Sequence, residues 1–179
     1  MPCLDSGAGP DGSEGIMTRI IDQRVREFVA ETGLDLVTVS EYVEDVVTGY
    51  IGTLLWSESC NGTAPLHVCD HLSRQGDEAA DCDTSLDSLG YAENDLAGEA
   101  YDSIREDVAD FVCANWADLY GSDMDAGQAG HDFLLTRNHH GAGFWDRGLG
   151  ERGDRLTANA HPYGTTDAYV GDDELVYVS

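Results

Sequence analysis

Apolar residues recur at helical spacing in three stretches of the chain. Ile21, Val25, Phe28 and Val29 predict a helix from about Ile16 to Thr32, which Gly33 stops. A second follows Thr38, which forms a capping box with Glu41. Its wide apolar face of Tyr42, Val43, Val46, Val47, Tyr50, Ile51, Leu54 and Leu55 ends at Trp56. Gly49 and Gly52 interrupt this helix at about 1 kcal/mol each relative to Ala, so a close approach of another backbone is the expected compensation. Asp95 is placed to cap a third helix, with Tyr101, Ile104, Val108, Phe111, Val112, Asn115 and Leu119 on one face.

The pattern changes in the last third. Asp132 to Arg137 has strand character, a Gly-rich turn follows, and a fourth helix is expected from Gly150 to Ala160. Ala168 to Val170 and Leu175 to Val178, separated by Gly171-Asp172-Asp173-Glu174, predict a terminal β-hairpin. The expected class is α+β, with N-terminal helices packed on a small antiparallel sheet that includes the C-terminal hairpin. Residues 1–15 have the Gly, Ser, Pro and acid content of a disordered tail, and 16–179 are expected to form one domain. Within it, residues 57–89 lose all periodicity. An irregular insertion of that length needs something to tie it down.

Cys60, His67, Cys69, His71 and Cys82 are candidates for that role, since thiolates and imidazoles are the ligands of a structural zinc. His67, Cys69 and His71 would share one face of an extended segment. The spacing matches no standard finger, and the alternative is a surface insertion with incidental polar residues. No other cofactor is expected. Cys113 falls on an apolar helical stripe and reads as core.

Charge narrows the classes further. The chain carries 35 acids against 9 basic residues, for a formal net charge of −26, and every basic residue is arginine. Lacking lysine, it has no Walker A lysine, no protein-kinase ATP lysine and no Schiff-base chemistry. The GxSxG, CxxC and HExxH motifs are also missing. Aspartate-dominated acidity without lysine resembles the proteins of extreme halophiles and their viruses, where carboxylates keep a surface hydrated. At 1 M salt the Debye length is about 3 Å, so such charge serves solvation more than attraction. The rival reading of the same charge is a DNA mimic that occupies a basic nucleic-acid-binding surface. Direct nucleic-acid binding is not expected, no apolar run is long enough to span a membrane, and the first residues lack a secretory signal. The expected location is the cytoplasm.

One window departs from this acidity. From Arg137 to Arg155 four arginines face three acids, and the stretch HDFLLTRNHHGAGFWDRG holds residue types that packing alone does not call for. As a site, Arg137 and Arg147 would bind an anion bidentately, with Asn138 beside them. Gly141 and Gly143 would let the backbone approach a ligand. His140 would transfer a proton, oriented by Asp146 or passing the proton to it. As architecture, Arg137 would pair with Asp146, Asn138 and the histidines would form a turn, and Phe144-Trp145 would plug the core.

The pattern GHDFxLTRNxHGAGFWDRG, from Gly130 to Gly148, resembles the signature of a family of small acidic proteins encoded by tailed bacteriophages and related viruses. Tyr50-Ile51, Leu55-Trp56, Leu86-Asp87, Ile104, Asp107, Phe111 and Tyr169 to Asp173 extend the likeness. The chain departs from that pattern at Leu134, where Trp is usual, and at His139, where Gly is usual. The resemblance implies a viral origin and a shared site, without a reaction. The resulting expectation is a virus-encoded accessory protein acting in the host cytoplasm. It would bind a host protein or a small anionic ligand through the Arg137 to Arg147 surface, in host takeover or counter-defence. The alternative is a small hydrolase or phosphotransfer-type enzyme using His140 and Asp146 with Arg137 and Arg147.

Overall fold

The computed structural model describes residues 14–59, 84–120 and 124–179, with side chains in the first helix from Gln23 onward. Among the described residues, five α-helices and one two-stranded antiparallel sheet make an α+β fold: α1 (Glu14–Thr32), α2 (Leu36–Ser57), α3 (Gly98–Leu119), α4 (Ala126–Arg137), α5 (Glu151–Ala160), β1 (Ala168–Val170) and β2 (Val176–Val178). Short 3₁₀ turns occupy Glu93–Asp95, Phe144–Asp146 and His161–Tyr163.

The helices supply the core. α2 packs along α4, while α3 lies against α1 and α2. Tyr50, Phe111, Phe133 and Phe144 meet where these elements converge, all fully buried. Phe111 stacks on Phe133 with ring centroids 4.0 Å apart and contacts Phe144 at 5.8 Å. Each such ring contributes about 1.5–3 kcal/mol by leaving water. Cys113 is core, as its place in the apolar stripe implies, and burial pushes its thiol up to about 11.

The segment expected as a strand, Asp132 to Arg137, is the second half of helix α4. Every residue from Asp132 to Arg137 is buried, so the run has no polar face to reveal a helical period. Asp125 caps this helix, accepting a hydrogen bond from the Gln128 amide at 2.9 Å. Among the described residues the sheet is consequently the hairpin alone, in the register Ala168 to Val178 and Val170 to Val176. It docks at the start of α3 through Ala97 N–H to Val176 O, 2.8 Å.

Two helix starts also differ from expectation. α2 begins one turn earlier than the Thr38 box: Asp35 is its cap, accepting from both the amide and hydroxyl of Thr38. Asp95 instead closes the preceding 3₁₀ turn by accepting from Ala92 N–H, and α3 starts after Ala97.

The residues on either side of 60–83 meet. Ser59 and Ser85 form an isolated antiparallel bridge, Leu86 N–H donates to Glu58 O, Asp87 N–H donates to Leu55 O, and Leu86 is fully buried. Cys60, His67, Cys69, His71 and Cys82 lie outside the described residues. Among the described residues, no cluster of His, Cys, Asp or Glu is arranged to hold a metal, and no helix is long and apolar enough to cross a membrane.

Candidate functional site

Glycine sets the spacing of α2 and α4. A Cβ on Gly49 would fall on the carbonyl of Gly127, and one on Gly130 would fall on the Val46 carbonyl and the Tyr50 amide. The backbones therefore touch where only hydrogen fits, which is the compensation expected for Gly49. Gly52 meets nothing within 4 Å and is exposed.

This close packing brings Arg137, at the C-terminal turn of α4, into the interior. Its guanidinium donates to Asp107 Oδ2 at 2.7 Å, Tyr50 Oη at 3.0 Å, Gly164 O at 2.7 Å and Tyr163 O at 2.7 Å. It also lies 5.8 Å from the Phe133 ring centroid and 5.9 Å from that of Tyr163. The Arg137 side chain is only 7 % exposed. Burial pushes the Tyr50 phenol up to about 12, against the pull of the Arg137 charge. The guanidinium assigned above to an external anion is thus held by internal acceptors.

The remainder of the motif follows from that anchorage. Asn138 exchanges two hydrogen bonds with Thr166, side-chain amide to carbonyl at 2.8 Å and backbone amide to Oδ1 at 2.9 Å. His139 takes φ 55°, with His139 N–H donating to Thr136 O and His140 N–H to Leu135 O. That pair of bonds is a Schellman motif, with His139 in the left-handed position that Gly fills most easily. The turn is retained although the side chain is not glycine. The His139 ring rests 4.6 Å from that of His161. Thr136 Oγ1 accepts from Phe144 N–H at 3.1 Å, and a Cβ on Gly143 would collide with this hydroxyl and with the Trp145 ring. Phe144 enters the core, whereas Trp145 stays 42 % exposed.

Arg147 grips Asp132 with a fork: Nε donates to both carboxylate oxygens at 2.9 Å, and Nη2 donates to Oδ1 at 2.6 Å. Asp132 is fully buried and also accepts from Gln128 Nε2 at 2.8 Å. The hydrogen bond to Asp132 raises the Arg147 pKa further. The motif arginines therefore pair with Asp107 and Asp132, and neither takes Asp146 as its ion-pair partner. His140, Asp146 and Gly141 are exposed, and no hydrogen bond or ion pair joins His140 to Asp146 among the described residues. A hydrolytic centre would need those two groups to meet beside a free guanidinium.

The face of the α2–α4 contact opens into a groove of about 370 Å³. Gly49, Gly52 and Gly127 lie along it, and Thr53, Trp56, Asp125, Gln128 and His131 supply its side chains. Trp56 is 58 % exposed, its ring centroid 6.3 Å from that of His131. Thr53 donates its hydroxyl to Gly49 O at 2.8 Å and lies 2.9 Å from His131 Nδ1. In the tautomer that matches a Thr53 proton directed to Gly49 O, Nδ1–H donates to the hydroxyl and Nε2 is an acceptor.

Sequence reasoning passed over this groove. The signal available was the spacing of Gly49, Gly52, Thr53 and Trp56 on one helix and of Gln128 and His131 on another. It becomes visible once Asp132 to Arg137 is helical. Residues that carry the viral resemblance also converge in space: Tyr50, Asp107 and Phe111 all surround Arg137 or Phe133. No protein-family model, curated protein or solved structure matches the chain.

Proposed function

We propose that the chain is a virus-encoded accessory protein that works by binding a host protein in the host cytoplasm, and that it does so through the α2–α4 groove. The observation that carries this reading is the commitment of both motif arginines to internal carboxylates, Arg137 to Asp107 and Arg147 to Asp132. The signature then accounts for the scaffold: a polar clamp that fixes α4 against α2. What the clamp presents outward is a half-open groove with an exposed indole, and exposed aromatic anchors of this kind are enriched among residues that dominate protein interfaces. The viral origin rests on the resemblance of residues 130–148.

The test is retrieval from host extract with the purified chain as bait, followed by reconstitution with the purified partner. Wild type and Trp145→Ser should bind the same partner, while Trp56→Ser should lose it with an unchanged melting temperature. Equal binding by Trp56→Ser removes the groove from the function.

A further inference from the structure

We infer that the groove is built to take an arginine side chain projecting from the protein partner. This rests on the binding function proposed above and adds the chemistry of the occupant.

The polar groups of the groove have been used in one direction. Thr53 directs its proton to Gly49 O, His131 Nδ1 lies 2.9 Å from that hydroxyl and donates to it in the matching tautomer, and Gln128 gives one of its two side-chain amide protons to Asp132. What remains is weighted toward acceptors, with His131 Nε2 in that tautomer, Gln128 Oε1 and the second oxygen of Asp125, whose Oδ1 receives the Gln128 amide, against the second Gln128 amide proton and the Gly127 N–H. The exposed Trp56 ring adds the negative face of a π system. Among the described residues, no arginine lines the groove. The positive end of α4 opposes a cation here with about half a charge, but Asp125 sits at that end with a full negative charge and outweighs it.

Among protein side chains, a guanidinium matches this set. It is planar, so it stacks on an indole, and it carries five donors in a fixed fork for several acceptors at once. An ammonium offers neither property. Weak hydration of the guanidinium also suits a molecule adapted to concentrated salt, where long-range attraction by the −26 charge is screened within about 3 Å and contact forces must do the selecting.

The experiment is titration of the ¹⁵N-labelled full chain, in molar KCl, with a short glycine–serine peptide carrying one arginine, then with its citrulline and lysine counterparts. Saturable shifts should map to Gly52, Gly127, Gln128 and the Trp56 indole. The citrulline peptide should bind about two- to five-fold more weakly, the scale of a cation–π contact at an exposed ring, and the lysine peptide should also bind more weakly because it lacks the planar fork. Trp56→Ser should weaken the arginine peptide by a similar factor. Asp125→Asn should do so as well, since Asn retains the helix cap while removing the charge. Equal binding of citrulline or lysine, shifts mapping elsewhere, or no shift with the arginine peptide overturns the inference. Loss of the host partner on Trp56→Ser alongside any of those outcomes would leave the binding function standing with a different occupant.

Discussion

Arg137 donates to the phenol oxygen of Tyr50 at 3.0 Å, joining the last turn of α4 to the middle of α2. The same guanidinium reaches Asp107 on α3 and the carbonyls of Tyr163 and Gly164, so one cation holds three helices and the turn before the hairpin.

Arg137→Met is therefore expected to destabilise the fold by about 3 kcal/mol. That is the low end for breaking a buried ion pair, because Asp107 keeps 35 % of its side chain exposed. Arg137→Lys should recover little, since an ammonium lacks the planar fork that meets four acceptors. Urea denaturation measures both, and a loss below about 1 kcal/mol for the Met variant contradicts the clamp.

The helix contact gives a contrast between two glycines. Gly130→Ala must push the Val46 carbonyl and Tyr50 amide away, and should cost on the order of 2–3 kcal/mol through strain in a packed interface. Gly52→Ala places its methyl in open space and should stabilise by up to about 1 kcal/mol through helix propensity. Thermal melts of the two variants should move in opposite directions.

At position 139 a side chain occupies a left-handed backbone that favours glycine. His139→Gly should raise stability by about 1 kcal/mol, the usual cost of that conformation for a non-glycine residue. A drop in melting temperature would show that the ring contact with His161 is worth more than the strain.

Alkali probes the same interior. Burial pushes the phenols of Tyr42 and Tyr50 from the ordinary 10 up to about 12, and Tyr163 moves in the same direction. A pKa raised on folding contributes stability that is complete below the unfolded value and lost as pH climbs through the folded one. The urea midpoint should stay level with respect to these groups up to pH 10 and fall between 10 and 12. Tyrosinate absorbance should show a late-ionising class that appears only with unfolding. Full ionisation at about pH 10 in the native state would contradict the burial of these phenols.

The apolar face of α2 and the alternating hairpin were legible because each presents a polar side against which a period can be counted. α4 was not, since buried residues run all round its second half and six of them in a row imitate a strand. The arginine motif stands out in the sequence as residue types that packing alone does not call for, but its arginines pair with internal carboxylates and not with the external anion expected of them. The partners themselves are distant in sequence: Asp107 precedes Arg137 on another helix, and Asp132 precedes Arg147 by more than two helical turns with a bend between. Composition could nominate the charges but not their pairing. The groove depends on two helices being adjacent, and so could be read only after α4 was recognised.

The bridge between Ser59 and Ser85 makes the fold tolerant of variation at one doorway. Because residues 59 and 85 are neighbours in space, the number of residues between them can change while Leu86 stays seated. The cost of closing a longer loop grows only with the logarithm of its length, roughly 0.6 kcal/mol per doubling. A lineage carrying this scaffold can thus append new chemistry at that doorway without renegotiating the core.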